Sequence, residues 1–172
     1  MPDNSMKNDI YRARYAGPPE LNEAGLITYL QAQPDVAAAY LFGSLATGRA
    51  TPHSDIDIAV LLTRVPDDPV DLLGRQLELA DHLRRFSDRD MDVVILNKVP
   101  LILRRQVLAH GRLLHEGDRN TRVDFEVQTG KEYADLKPMH DFFKGVLFEE
   151  IEEVGLGRRR RRPLRTTLLS QR

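Results

Sequence analysis

The segment over residues 55–62 constrains the fold more than any other part of the chain, because it has the pattern of a strand with two unlike faces. Its sequence is DIDIAVLL, and side chains alternate across a strand, so Asp55 and Asp57 point to the same face. The opposite face is apolar and is expected to be the buried one; it carries Ile56, Ile58, Val60 and Leu62. Strands disfavour Asp, so this pair is either a strand-end pair facing water or a chemical site.

The rest of the chain predicts strands and helices in alternation. Strands are expected over residues 35–42, 55–62 and 90–96, with a short edge strand over 112–115. Helices are expected over residues 20–33, 66–87, 99–110 and 118–154, the last with a break at Gly130 or Pro138. This order predicts an α/β (α+β) fold, in which a small mixed β-sheet has helices packed on one face and is followed by a C-terminal helical segment.

The charge of the chain is distributed unevenly. The 172 residues carry 25 Lys and Arg against 26 Asp and Glu, a net charge of −1. Residues 158–172 hold seven of the Arg and no acidic residue, which leaves residues 1–157 with 18 basic against 26 acidic residues, a net charge of −8. An acidic body is a poor candidate for a broad nucleic-acid-binding face, so no direct nucleic-acid substrate is expected.

The two ends of the chain differ in composition from its middle. Residues 1–19 form a polar leader, and residues 156–172 form an Arg-rich tail that is expected to be disordered. The first ten residues have no apolar signal-peptide core, and no apolar run approaches the ~20 residues of a membrane helix. We therefore expect a cytoplasmic protein that does not enter a membrane.

Several catalytic mechanisms lack the residues they need. With no Cys in the chain, thiol nucleophiles and zinc–thiolate sites are excluded. The five His show no HExxH spacing, and neither a P-loop nor a G-x-G-x-x-G motif is present. Ser44 lacks the glycine two residues later that a nucleophile elbow requires.

The carboxylates offer the stronger chemical signal. Asp92 lies on the predicted strand over residues 90–96, on the same face as Val94, whereas Asp90 begins that strand and is expected to be structural. If this strand pairs with the strand over residues 55–62, then Asp55, Asp57 and Asp92 converge. Three such carboxylates repel one another unless a cation neutralises them, and Mg²⁺ favours carboxylates together with substrate phosphates. Two such ions would form a phosphoryl-transfer site.

A small-residue turn follows the first predicted strand directly. Gly43 allows the backbone to approach a phosphate closely, and Ser44 offers a hydroxyl and an N–H at the expected start of a helix. Ten residues separate this pair from Asp55-x-Asp57. The combination predicts a site for a phosphorylated substrate beside the carboxylates.

These residues resemble a known family. The run LFGSLATG over residues 41–48, followed by SDID over residues 54–57, resembles the signature of the nucleotidyltransferase superfamily that includes DNA polymerase beta. The chain from about residue 20 to 145 is similar to a minimal nucleotidyltransferase (MNT), with the antitoxin half of HEPN/MNT toxin–antitoxin pairs as the nearest subgroup. The nucleotidyltransferase domain is accordingly expected over residues 20–155.

The resemblance implies a specific reaction. Such antitoxins use ATP and Mg²⁺ to transfer AMP onto a tyrosine hydroxyl of a HEPN toxin, which is an RNase, and they form hetero-oligomers with it. The resemblance implies that Gly43 and Ser44 hold the triphosphate and that Asp55 and Asp57 bind both metals. Asp92 would bind one metal and help to remove the proton of the acceptor hydroxyl. These roles make Asp55, Asp57 and Asp92 the expected catalytic residues.

The chain departs from the family pattern at two places. Many relatives carry Arg where this chain has Thr47, and Arg49, two residues later, is the candidate replacement for nucleotide binding; an exposed loop Arg is the alternative. The Arg-rich tail lies outside the family pattern and receives no catalytic role.

Two other functions remain open from the sequence. A small-molecule nucleotidyltransferase of the aminoglycoside type is compatible with the acidic body, although such enzymes usually have a second domain. An antitoxin that acts by binding alone would have no need of three converging carboxylates. The sequence does not decide the acceptor residue, the number of AMP units, the nucleotide or the oligomeric state.

Overall fold

The computed structural model describes the backbone of residues 17–154 and the side chains of residues 17–139. Most of the predicted leader and all of the Arg-rich tail lie outside these residues. The strands are β1 (Val36–Phe42), β2 (Ile56–Leu62), β3 (Met91–Ile95) and β4 (Arg112–Glu116). The helices are α1 (Glu23–Gln31), α2 (Gly43–Ala46), α3 (Pro69–Leu83), α4 (Leu101–His110) and α5 (Arg119–Val154), with a 3₁₀ turn at Arg84–Phe86.

The four strands form one mixed sheet in the order β3-β2-β1-β4. Strand β1 pairs antiparallel with both β2 and β4. Strand β2 pairs parallel with β3, because α3 carries the chain back along the sheet, as a parallel connection requires. Both strands of the parallel pair begin at the same end of the sheet, so the first residues of β2 and β3 lie side by side there.

One face of the sheet is covered by α1 and α3. Alternate residues of β2 and β3 pack there against Leu26 and Leu30 of α1 and Leu79 and Leu83 of α3. The strand residues in this layer include Ile56, Ile58, Val60, Leu62, Met91, Val93 and Ile95. This is the apolar face that the alternation of residues 55–62 predicts.

The second face of the sheet is also covered, so the expectation of helices on one face is wrong. Val107 and Leu103 of α4 and Phe125 of α5 pack there in a separate cluster. The strand residues in this layer include Ala37, Ala38, Tyr40, Ala59 and Leu61. The physical reason is that β1 and the second half of β2 are apolar on both sides, which is typical of strands buried between two layers.

The helix starts are set by capping residues. Helix α3 begins later than residue 66, because the Asp68 side chain accepts a hydrogen bond from Val70 N and Pro69 occupies the first helical turn. Helix α1 begins after Asn22, whose side chain accepts from Gly25 N. Both are the polar caps that satisfy N–H groups without a helical partner.

The predicted break in the last helix is absent, since α5 runs through both Gly130 and Pro138. In a helix interior, Gly costs about 1 kcal/mol and Pro about 3 kcal/mol relative to Ala. Neither cost is sufficient here to end the helix. One compact unit of the chain ends at Tyr133 and a second begins at Ala134. Among the described residues, no helix has the length and apolar content needed to cross a membrane.

A polar network joins the sheet to α5. The Tyr40 hydroxyl donates a hydrogen bond of 2.9 Å to Glu126 Oε1, and Arg122 binds both Glu126 and Glu116. Burial, together with the adjacent Glu126, raises the pKa of Tyr40 above its usual range. The hydroxyl therefore stays protonated and remains a donor to the carboxylate.

We expect Tyr40→Phe to lower the free energy of unfolding by about 1 kcal/mol, the net value of a typical hydrogen bond. Urea unfolding measures the change. Tyr133→Phe is the control, because the Tyr133 ring lies beneath Arg105 and Phe retains this contact. Equal effects of the two substitutions would contradict the role of the Tyr40 hydroxyl.

Candidate functional site

The carboxylates predicted from the sequence lie at the end of the sheet where β2 and β3 begin. Asp57 is the register partner of Asp92 on β3 and of Phe42 at the end of β1. Register partners on neighbouring strands point to the same face, so Phe42, Asp57 and Asp92 form one row. Asp55 lies just before β2, two residues from Asp57, and is exposed.

Asp57 is the electrostatic centre of this group. It is half-buried, whereas Asp55 and Asp92 are exposed. Burial raises the pKa of Asp57 above its usual range, and the negative charges of Asp92 and Asp55 raise it further. The two neighbouring carboxylates are therefore close enough for their charges to act on Asp57, and the repulsion is the kind that a bound cation removes.

The backbone at Gly43 is held against Asp57. Gly43 has a φ of +73°, a conformation that glycine adopts without steric cost. A Cβ built at Gly43 would overlap Oδ2 of Asp57 and lie 2.9 Å from its Cγ. Position 43 therefore requires glycine for two independent reasons, and the turn after β1 directly contacts the central carboxylate.

The loop after this turn is ordered by its own hydrogen bonds. The Thr47 hydroxyl donates to the carbonyl oxygens of Gly43 and Ser44 at 3.1 and 3.2 Å. Arg49 N donates to Ser44 O at 2.9 Å. Thr47 thus stabilises the turn itself.

A cavity of about 430 Å³ adjoins the Gly43-Ser44 turn. Arg49, the sequence-predicted replacement for the missing Arg, lines it. The full lining is Phe42, Gly43, Ser44, Thr47, Arg49, Gln106, His110 and Gly111. Asp55, Asp57 and Asp92 are not among these residues. Gly43 therefore lies against Asp57 and also lines, with Ser44, the cavity whose wall contains Arg49.

Sequence reasoning missed Gln106 and His110 in this cavity. Both belong to α4, and no spacing along the chain links them to Gly43. They reach the cavity because α4 ends at Gly111, where a Cβ would lie 2.5 Å from Val107 O and 3.1 Å from Leu41 O. That close approach at Gly111 is the signal that the end of α4 packs against β1.

Asp90 has the structural role expected for it. Its carboxylate lies 3.1 Å from Arg84 Nη2, and its carbonyl oxygen accepts from Ile56 N. The backbone hydrogen bond joins the starts of β2 and β3, in the register that places Asp92 beside Asp57.

The carboxylate group fits a divalent cation by its chemistry but does not form a complete cage. Within the described residues, no three acidic or His side chains already stand in metal-binding geometry. Carboxylates and a phosphorylated substrate are nevertheless the oxygen ligands that Mg²⁺ prefers. Two of the three carboxylates are exposed and have room to turn toward an ion next to Asp57.

The fold is that of a family of transferases. Residues 25–120 match the family model described as polymerase beta, nucleotidyltransferase. That match covers more than half of the chain, and the chain belongs to this nucleotidyltransferase family. The predicted resemblance and the predicted α/β fold with a mixed sheet are confirmed.

Similar proteins come from toxin–antitoxin systems. The protein adenylyltransferase MntA of Shewanella oneidensis is 35% identical over 119 residues, which cover 69% of this chain and 81% of that protein. A chain in the crystal structure of a toxin–antitoxin with AMP-PNP is 31% identical, with a TM-score of 0.61 over 74% of this chain and 99% of that one. A rebuilt structure of a tri-AMPylated Shewanella oneidensis HEPN toxin with MNT antitoxin matches at 28% identity and a TM-score of 0.50, over 72% of this chain and 90% of that one.

Proposed function

We propose that this chain is an antitoxin that transfers AMP from ATP to a tyrosine hydroxyl of a cognate HEPN toxin. The family supplies the nucleotidyltransferase chemistry. The relative named protein adenylyltransferase MntA and the complex with a tri-AMPylated HEPN toxin support the acceptor class. The structure with AMP-PNP supports ATP as the donor. The toxin is accordingly both substrate and partner, in a hetero-oligomer with this chain.

The contact between Gly43 and Asp57 is the observation that carries this proposal. It brings a glycine-serine turn, suited to a phosphate chain, directly beside the central carboxylate. In this arrangement Gly43 and Ser44 would hold the triphosphate beside Asp57. Arg49, which lines the same cavity as Gly43 and Ser44, would bind the outer phosphates.

The reaction needs a nucleophile at the α-phosphorus. The tyrosine oxygen forms a bond to that phosphorus, the bond to the bridging oxygen of the β-phosphate breaks, and pyrophosphate leaves. A tyrosine hydroxyl has a pKa of about 10, so its proton must be removed as the bond forms. Asp92 is the exposed carboxylate of the row, and we assign it the role of receiving this proton.

Asp55, Asp57 and Asp92 are the residues that would bind Mg²⁺. When bound, the metal neutralises charge on the phosphates and lowers the barrier to in-line displacement. The protein positions the carboxylates through the β2–β3 register and positions the phosphates through the turn at Gly43. Positioning and charge neutralisation are the main contributions a protein makes to this class of reaction.

Intact-mass spectrometry of the cognate toxin tests the proposal. With this chain, ATP and Mg²⁺, we expect the toxin mass to rise by one or more AMP units, and EDTA should prevent the increase. A parallel reaction with labelled ATP and aminoglycosides, without toxin, tests the small-molecule alternative. Labelled aminoglycosides in the second reaction, together with an unmodified toxin in the first, would contradict the antitoxin function.

We expect Arg49→Gln to raise the KM for ATP by about tenfold, because it removes the positive charge from the cavity wall while keeping a polar side chain. Steady-state transfer at varied ATP concentration measures this change. Arg64→Gln is the control, since Arg64 is also exposed but lines a different cavity. An unchanged KM in Arg49→Gln would show that Arg49 does not contact the nucleotide.

A further inference from the structure

Helix α3 has an apolar stripe on its outer side. Val70, Leu73 and Leu77 are 73%, 55% and 60% exposed. Their spacing of three and four residues places them on one side of the helix, together with Gly74. The opposite side of α3 packs on the sheet through Leu79 and Leu83. We call Val70, Leu73, Gly74 and Leu77 the outer face of α3.

Gly74 has no explanation within the described part of the chain. Glycine in an exposed helix interior is less stable than alanine by about 1 kcal/mol. A Cβ at Gly74 would meet nothing within 4 Å, so no neighbour described in the structure requires its absence. A small residue between large apolar ones does, however, allow a second helix to approach closely.

One flank of the outer face is acidic. Asp71 and Glu78, seven residues apart, lie on the same side of the stripe and are exposed. Near the start of α3, a recess of about 540 Å³ is lined by Asp35, Arg64, Pro66, Asp67, Asp68 and Asp71. Within the described residues, Asp67, Asp68 and Asp71 take part in no salt bridge. Glu78 pairs with Arg75 at 2.9 Å, so the unpaired negative charge beside the apolar stripe lies near the start of α3, at Asp67, Asp68 and Asp71.

We propose that the outer face of α3 binds an amphipathic helix of the cognate toxin, one with an apolar stripe and a row of Lys or Arg along one flank. This inference rests on the proposed function, which supplies the toxin as partner. The acidic flank favours a basic partner, and it disfavours a second copy of this chain, which would bring the same acidic flank.

The position of the face suits a docking surface. Strand β2 begins beside Asp57 and ends at Leu62, and α3 starts seven residues later, at Pro69. The first half of α3 therefore lies toward the end of the sheet opposite the carboxylates. A partner bound there leaves the turn at Gly43 open to ATP.

Substitution of the stripe gives the first test. Leu73→Glu/Leu77→Glu is expected to weaken the complex with the toxin by about tenfold or more, measured by isothermal titration calorimetry. The affinity for ATP should be unchanged. Val127→Glu is the matched control, because Val127 is 50% exposed on α5 and lies outside the stripe. Equal weakening by the control would overturn the proposal.

Gly74→Ala gives a second test with effects of opposite sign. We expect it to raise the melting temperature of the isolated chain, because alanine stabilises an exposed helix. We also expect it to weaken the toxin complex, because the added methyl group lies in the contact. If Gly74→Ala stabilises the chain but leaves the toxin affinity unchanged, the inference that a toxin helix packs closely against Gly74 is wrong.

The outcomes separate this inference from the proposed function. A wild-type chain that neither binds nor modifies the toxin overturns both. A wild-type chain that modifies the toxin, with the α3 variants equally active and equally tight in binding, overturns the docking surface alone. A free chain that sediments as a dimer, and becomes monomeric with Leu73→Glu/Leu77→Glu, would assign the face to a second copy instead.

Discussion

We expect Asp57→Asn to lower AMP transfer by about 100-fold or more and to stabilise the protein. The activity should fall because Asp57 is the half-buried centre of the three carboxylates and the residue that Gly43 contacts. Removing one preorganised charged group from such a site costs about 100-fold or more in rate. Transfer to the toxin, measured by intact mass over time, gives the size of the loss.

The gain in stability follows from the pKa of Asp57. Burial and the charges of Asp92 and Asp55 raise this pKa in the folded chain, so the folded state binds the proton more tightly than the unfolded state does. Stability from this group is therefore complete at low pH and is lost as the pH rises from the ordinary value of about 3.9 through the raised value. At neutral pH the uncharged Asn avoids that loss.

Urea unfolding at several pH values measures this effect, and Asp90→Asn is the matched control. Asp90 lies two residues from Asp92 but pairs with Arg84 at the surface, so its substitution should preserve activity and cost at most about 1 kcal/mol. We expect the difference in stability between Asp57→Asn and wild type to grow from pH 4 to pH 7. If Asp57→Asn were less stable than wild type at pH 7, this would contradict the repulsion of Asp57 by Asp55 and Asp92.

Gly43→Ala is the second substitution with a large expected effect. It forces a left-handed alanine, which costs about 1–2 kcal/mol, and its methyl group displaces the Asp57 carboxylate. The free energy of unfolding should therefore fall by more than the backbone penalty alone. Transfer should fall by about 100-fold, because the phosphates and the carboxylate lose their relative position.

Gly48→Ala separates these two causes. Gly48 also has a positive φ, +69°, but a Cβ there meets nothing within 4 Å. It should show the backbone penalty without the displacement of Asp57. If both variants lose the same stability and the same activity, the close contact between Gly43 and Asp57 has no functional consequence.

The sequence predicts the elements around the site well, because the site depends on short-range patterns. The alternation in residues 55–62 predicts which face carries Asp57. The predicted start of β3 near Asp90 places Asp92 near the start of its strand, as Asp57 is near the start of β2. The structure pairs Asp57 with Asp92 in register. The assignment of ATP, Mg²⁺ and catalytic roles to these residues stays a prediction until the substitutions are made.

What the sequence does not predict depends on contacts between distant segments. The second helical layer was missed because the small residues Ala37 and Ala38 carry no clear periodicity, although both are fully buried. Gln106 and His110 join the cavity only through the packing of α4 against β1. The continuity of α5 through Pro138 shows that a local helix-breaking preference can be overridden.

The mixed pairing of the sheet also affects the order in which the site can form. The antiparallel pair β1–β2 is joined by a short connection and brings Gly43 to Asp57. Asp92 joins them only after the chain has passed through the whole of α3 and paired β3 in parallel, a contact with a higher loop-closure cost. A ligand that contacts Asp57 and Asp92 together therefore selects chains in which this crossover is complete, and its binding energy adds to the stability of the crossover.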